Sequence, residues 1–150
     1  MSAGNLGFDQ VEMLKAAIAA AAAASQVLLG RFRSAVDAPL ETWMKSSGEL
    51  VTDADIASDN AIAETLDAAG VPGSILSEES RSERDGKGLT WLVDPLCGTV
   101  PFNTGMGHWG VNICLRNGQA LELGVLTLPF MNEQLTSVQG NGVLRNGRHW

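Results

Sequence analysis

Residues 91–99, Trp-Leu-Val-Asp-Pro-Leu-Cys-Gly-Thr, constrain this chain more than any other stretch. The apolar run that opens it, bounded by turn residues, reads as a buried strand. That strand delivers Asp94 at its carboxyl end, and Pro95, with no N–H to donate, is expected to stop the ladder. Gly98 and Thr99 follow as a turn from which a helix can open. A carboxylate followed by free backbone N–H groups is what a cation and a phosphate need side by side.

The rest of the chain has an ordinary globular composition, with 45% hydrophobic and 18% charged residues over 150 positions, enough for one domain with a real core. Ten Lys and Arg against 17 Asp and Glu leave a net charge of −7. That balance argues against nucleic-acid or anionic-membrane partners, which need a cationic face. Two cysteines, Cys97 and Cys114, do not make a disulfide framework. The alanine-rich run at 16–24 is preceded by Asp9 and Glu12 where a leader would be basic, and alanine is only weakly apolar. Neither a leader nor a membrane span is expected, and a cytoplasmic location is the default.

Read in order, Asp9 and Glu12 resemble a capping box, and Val11, Leu14, Ile18 and Leu28 recur near helical spacing. The pattern predicts a helix over about 8–29 ending at Gly30, with an alanine face for close packing, then a loop over 34–40. Thr52 or Asp53 can cap a second helix that turns Ile56, Ile62, Leu66 and Ala69 inward, with Gly70 just past its end and Pro72 beyond. Asp53, Asp55 and Asp59 suit the first turns of such a helix on dipole grounds alone. A short strand at 74–76 leads to the acidic pair Glu78-Glu79, and 81–88 reads as a charged surface loop. Strands at 108–115, 121–128 and 134–138 are joined by tight turns, with Asn117-Gly118 the strongest hairpin signal. Asn146-Gly147 marks another turn. The fold class is therefore α+β, two amino-terminal helices packed on an antiparallel sheet. The four tryptophans read as core or edge packing.

Asp94-Pro95-Leu96-Cys97-Gly98-Thr99 resembles the signature of the inositol monophosphatase family, which runs Asp-Pro-hydrophobic-Asp-Gly-Thr after an apolar strand. Lys45, Val51, Thr52 and Asp55 match the pattern that leads into that family's second helix. Ser77-Glu78-Glu79-Ser80 matches its Gly-Glu-Glu-Ser segment save for the first residue, and Gly140, Gly142, Asn146 and Gly147 match a late glycine-rich stretch. The resemblance implies the amino-terminal half of an αβαβα sandwich, so that 1–150 is an incomplete domain. It implies a Mg2+-dependent phosphomonoesterase acting on a sugar or polyol phosphate. Glu78, Asp94 and the Leu96 carbonyl would hold a first Mg2+. Thr99 paired with Asp55 would orient and deprotonate a water, and Cys97, Gly98 and Thr99 would face the phosphate.

One departure matters. Cys97 stands where the family has a second aspartate, and a largely protonated thiol is a poor ligand for a hard cation. A further family aspartate, in a Trp-Asp-x-x-Gly-like motif, has no counterpart in these 150 residues. Weak or absent phosphatase activity is expected, with a metal-binding or partner subunit as the alternative role. Cys97 as a phosphatase nucleophile fails, because after five intervening residues Asn103 stands where an arginine would chelate phosphate; for Cys114 that position is Ala120. A zinc site of Cys97, Glu78, Asp94 and His108 lacks paired-ligand spacing. Val111, Ile113, Leu121, Leu123 and Val125 are expected to form an uncovered apolar face, and with it self-association or a partner chain.

Overall fold

The computed structural model describes residues 8–32, 42–45, 50–79 and 88–150, without the side chains of Trp43 and Leu50. The loops expected at 34–40 and 81–87 lie outside the described residues.

Helix α1, Gln10–Arg31, is capped by Asp9, whose side chain accepts from the Val11 N–H at 2.9 Å. The expected box is only half made, because Glu12 pairs with Lys15 at 3.3 Å instead. The helix runs through Gly30 to Arg31. Its buried stripe is Met13, Ala16, Ala17, Ala20, Ala21, Ala24 and Leu28, while Val11 is exposed. Side chains of one carbon let helix axes approach closely. The alanine face accordingly lies against helix α2, Asp53–Ala68, and against the sheet. By length and composition α1 could cross a membrane; here its most apolar stripe is spent on the core.

Helix α2 carries a complete capping box between Thr52 and Asp55. Ile62 and Leu66 point inward as the pattern requires, whereas Ala69 is exposed, and Gly70 takes φ +66 just past the end. Ahead of it, β1 (Thr42–Met44) and β2 (Leu50–Thr52) form a small antiparallel pair that the sequence pattern did not reveal.

The main sheet has seven strands in chain order: β3 (Ser74–Ser77), β4 (Leu89–Cys97), β5 (Gly110–Asn117), β6 (Ala120–Leu128), β7 (Glu133–Val138), β8 (Val143–Arg145) and β9 (Arg148–His149). All neighbours are antiparallel except β3 and β4, which run parallel. The β5–β6 turn falls one residue later than Asn117-Gly118, since Asn117 and Ala120 pair across it. A short helix α3, Thr99–Asn103, follows β4.

Pro95 does not end β4. The strand continues to Cys97, with the register slipping so that Asp94 faces Asn112 and Cys97 faces Gly110. Three steps on β4 against two on β5 make a bulge, which is where a strand tolerates proline.

The helices cover one face of the sheet, where Trp91, Leu115 and Leu123 form one row and Val93, Ile113 and Val125 the next. This overturns the uncovered face read from the sequence: Val111, Ile113, Leu123 and Val125 are buried, and only Leu121 is exposed, at 58%. A second bulge explains the exception. Arg116 pairs with Leu121 while Leu115 pairs with Leu123, so the extra residue Glu122 turns Leu121 away from its neighbours' face. The face away from the helices carries the half-buried row Leu92, Cys114, Gly124 and Ser137 and the row Asp94, Asn112, Leu126 and Leu135. Of the tryptophans, Trp91 and Trp109 are core, and Trp150 is 78% exposed. Trp109 packs with Phe32 and Phe102 at ring separations of 5.1 and 4.9 Å.

Ile113→Ala should cost about 2–5 kcal/mol of folding stability in urea unfolding. Leu121→Ala, assigned to the same face by alternation alone, should stay within about 0.5 kcal/mol.

Candidate active site

Asp55 enters the site through its cap. Its Oδ2 accepts from the Thr52 N–H at 3.0 Å and from the Thr52 hydroxyl, closing the first turn of α2. Its Oδ1 accepts from the Thr99 hydroxyl at 3.0 Å, and the residue is 2% exposed. The dipole and capping account of this aspartate is therefore true of one oxygen, and the other is committed to Thr99. The same threonine hydroxyl lies 3.4 Å from the Leu96 carbonyl.

The bulge in β4 sets the remaining geometry. Ser58, buried on α2, donates to the Pro95 carbonyl at 2.6 Å and ties the helix to the bulge. Gly98 then turns with φ +93, and a Cβ there would stand 2.8 Å from the His108 carbonyl oxygen, so only glycine fits. This turn brings Cys97, Gly98 and Thr99 back beside Asp94.

Asp55, Glu78, Glu79, Asp94, Leu96, Cys97, Gly98, Thr99 and Lys45 line one cleft with a cavity volume of about 210 Å³. Every residue singled out in the sequence as a site candidate is thus brought together. A larger groove of about 480 Å³ lies elsewhere, between the start of α1 and strands β7 and β8; no carboxylate lines it.

Asp94 is the electrostatic centre of the cleft. Its Oδ1 is buried and has no hydrogen-bond partner among the described residues. Burial pushes its carboxyl above the ordinary aspartate range, against hydrogen bonds from the Cys97 thiol and the Leu96 N–H that favour the anion. The nearby Asp55 charge raises it further and Lys45 pulls it down. Cys97 is exposed as a residue, yet partial burial of its thiol and the charge of Asp94 both raise its pKa, with Glu78 adding to them. The side chain at 97 is therefore a protonated donor to Asp94.

A divalent ion can be tested against these residues. Glu78 and Asp94 carboxylates with the Leu96 carbonyl are hard oxygen donors of the kind Mg2+ takes, and the buried Asp94 oxygen, unsatisfied among the described residues, is the observation that suits a cation. Among the described residues, no three His, Cys, Asp or Glu side chains converge as a ready metal cage. A set of two carboxylates and one carbonyl does not require one, because Mg2+ keeps several waters. The position of Cys97 fits poorly, for a protonated thiol offers a hard ion nothing.

Two partnerships escaped the sequence. Lys45 forms an ion pair with Glu79 at 3.0 Å across the cleft wall. Ser58 reaches the bulge carbonyl. Lys45 was visible only as part of a motif, and nothing local distinguishes Ser58 from any other polar helix residue.

The family model described as "Inositol monophosphatase family" matches residues 9–150. Nus factor SuhB of Pasteurella multocida is 36% identical over 135 residues, which are 89% of this chain and 50% of that protein. Histidinol-phosphatase of Chlorobaculum parvum is 31% identical over 108 residues, 72% of this chain and 42% of that protein. Among solved structures, the extragenic suppressor protein suhB of Bartonella henselae superposes with a TM-score of 0.82 at 27% identity, covering 91% of this chain and 53% of that one. The chain spans about half the length of the curated relatives it matches. The family is generally Mg2+-dependent. With its model matched from Asp9 to the last residue and its fold shared at that TM-score, this chain belongs to the inositol monophosphatase family.

Proposed function

We propose that this chain supplies the water-activating half of a Mg2+-dependent phosphomonoesterase site for a small sugar or polyol phosphate. The observation that carries the reading is the buried, partnerless Oδ1 of Asp94, beside Glu78 and the Leu96 carbonyl and next to the Asp55–Thr99 pair. Glu78, Asp94 and the Leu96 carbonyl would hold the ion. When bound, it supplies Lewis acidity, neutralising phosphate charge and lowering the pKa of water. The chain's own groups do the remaining work. Because the Thr99 hydroxyl gives its proton to Asp55 Oδ1, its oxygen is left as an acceptor. A water that donates to Thr99 Oγ1 is oriented and can pass its proton to that oxygen as the hydroxyl proton moves to Asp55. Gly98 and Thr99 lie where the phosphate sits, with Cys97 beside it.

Leaving-group stabilisation is the weak part. Cys97 gives no hard oxygen at its position, and loss of one electrostatic stabiliser typically costs about 10²–10³ in rate. A second reading follows from that deficit: a metal- or phosphate-binding subunit serving a partner. The name Nus factor, borne by relatives such as the Pasteurella multocida protein, supports a role beyond hydrolysis. The cytoplasm, where both thiols stay reduced, is the setting we propose for either role. Small apolar rows on the sheet face away from the helices, Leu92 with Cys114 and Leu126 with Leu135, support association through that face.

Calorimetric titration of the purified chain should show Mg2+ uptake that Asp94→Asn abolishes, together with slow phosphate release at best. Uptake unchanged in the Asn variant, or vigorous Mg2+-dependent turnover by the 150-residue chain, would contradict the reading. Cys97→Asp should tighten Mg2+ binding, since it exchanges a protonated thiol for a carboxylate; equal or weaker uptake would mean that position 97 does not face the ion. In sedimentation the chain should run as an associated species, and a concentration-independent monomer would count against association through the uncovered face.

A further inference from the structure

We propose that the Lys45–Glu79 ion pair is a strut that fixes Glu78 at the cleft, making Lys45 a positioning residue for the cation. The inference rests on the reading of Glu78 as a ligand. Lys45 follows β1, in the small sheet, whereas Glu78 and Glu79 follow β3 in the large one. Lys45 Nζ donates to Glu79 Oε1 at 3.0 Å and to the Glu78 carbonyl at 3.4 Å. The Glu79 side chain is 6% exposed and that of Lys45 25%, so the pair is largely removed from water. The Glu78 N–H meanwhile donates to the Val93 carbonyl on β4 at 3.3 Å, and the Glu79 N–H to Ser77 Oγ at 3.2 Å. The backbone of Glu78 is thus held on its amide side by the large sheet and at its carbonyl by Lys45. The residue itself is exposed. Where that backbone sits bears directly on where its carboxylate reaches.

The ammonium has two effects on a cation in the cleft, and they are opposite in sign. As a charge it repels the ion, so its loss alone should strengthen binding. As a strut it is needed: without it Glu79 is a buried, unpaired carboxylate, the segment must shift to hydrate it, and Glu78 moves too. The direction of the change in affinity therefore decides between them.

The full chain is titrated with Mn2+, and amide hydrogen exchange is followed in the same samples. Lys45→Met should weaken Mn2+ uptake about 10- to 100-fold, the usual cost of losing an outer partner of a ligand, and speed exchange at the Glu78 amide. Lys45→Arg, which keeps the charge and a donor, should recover most of both. Amides of β5 and β6 should stay protected, reporting an intact fold. The pair Lys45→Met/Glu79→Met leaves the net charge unchanged and no buried carboxylate unpaired. It should still bind Mn2+ more weakly than wild type, because the Lys45 hydrogen bond to the Glu78 carbonyl is lost. Undiminished or tighter uptake with normal Glu78 exchange in both methionine variants overturns the strut. If the wild-type chain takes up no Mn2+, the ligand reading of Glu78 fails, and faster Glu78 exchange in Lys45→Met still supports the strut.

Discussion

The Asp55 carboxylate is the joint on which the rest of the site depends. One oxygen closes the first turn of α2 through Thr52, and the other takes the hydroxyl proton of Thr99 at the start of α3. A side chain that is 2% exposed and bonded through both oxygens has little freedom left. Thr99 is consequently placed by the same interaction that starts the helix. This side of the cleft is preorganised because the carboxylate that holds Thr99 is also a structural cap. Ser58, one turn further along α2, holds the Pro95 carbonyl in the β4 bulge, so successive turns of one helix grip the bulge and the start of the helix that follows it.

That irregular piece shows where sequence reading stops. Thr52, Gly70 and the β-forming runs act within a few residues of themselves, so their caps and strands were legible, as were Asp55, Glu78, Asp94 and Thr99 through the motif. A bulge is different, because it is a relation between two strands. Nothing in Asp94-Pro95-Leu96-Cys97 says how many partner residues will face them, and the natural inference from Pro95 was an ended ladder. The same blindness put Leu121 with Leu123. Alternation divides a strand into two faces, but it registers neither the extra residue at Glu122 nor which face the helices will choose. Val111, Ile113 and Val125 read as one apolar set but as an uncovered one, because the weakly apolar alanine stripe of α1 says that it packs closely and not which face it covers.

The alanines also explain why the cleft sits at the edge of the helical layer. Small side chains bring α1 hard against α2 and down onto β5 and β6. Past the end of the stripe the aromatic rings of Phe32, Phe102, Trp109 and Phe130 pack together and close the gap. Phe102 belongs to α3, so the aromatic cluster anchors the helix whose first residue is Thr99. Gly107 yields its side-chain space to the Phe130 ring for the same reason: a Cβ there would overlap it. The site is thus suspended between a capped helix on one side and an aromatic plug on the other.

Cys97 changes the electrostatic sense of this suspension. Four carboxylates (Asp55, Glu78, Glu79 and Asp94) and one ammonium (Lys45) line the cleft, a formal charge of −4 + 1 = −3 when all are ionised. Two of those carboxylates are already spoken for, Asp55 by its cap and Glu79 by Lys45. Asp94 is left with the buried oxygen that no group among the described residues satisfies, and burial drives its carboxyl upward. An aspartate at 97 would add a like charge beside it, raising the cost of ionising Asp94. A thiol instead donates a hydrogen bond to Asp94 and relieves part of the cost without any ion. For the cation proposed here the thiol would act on both sides of the equilibrium, offering no hard ligand to the ion and easing the burial of Asp94 without it.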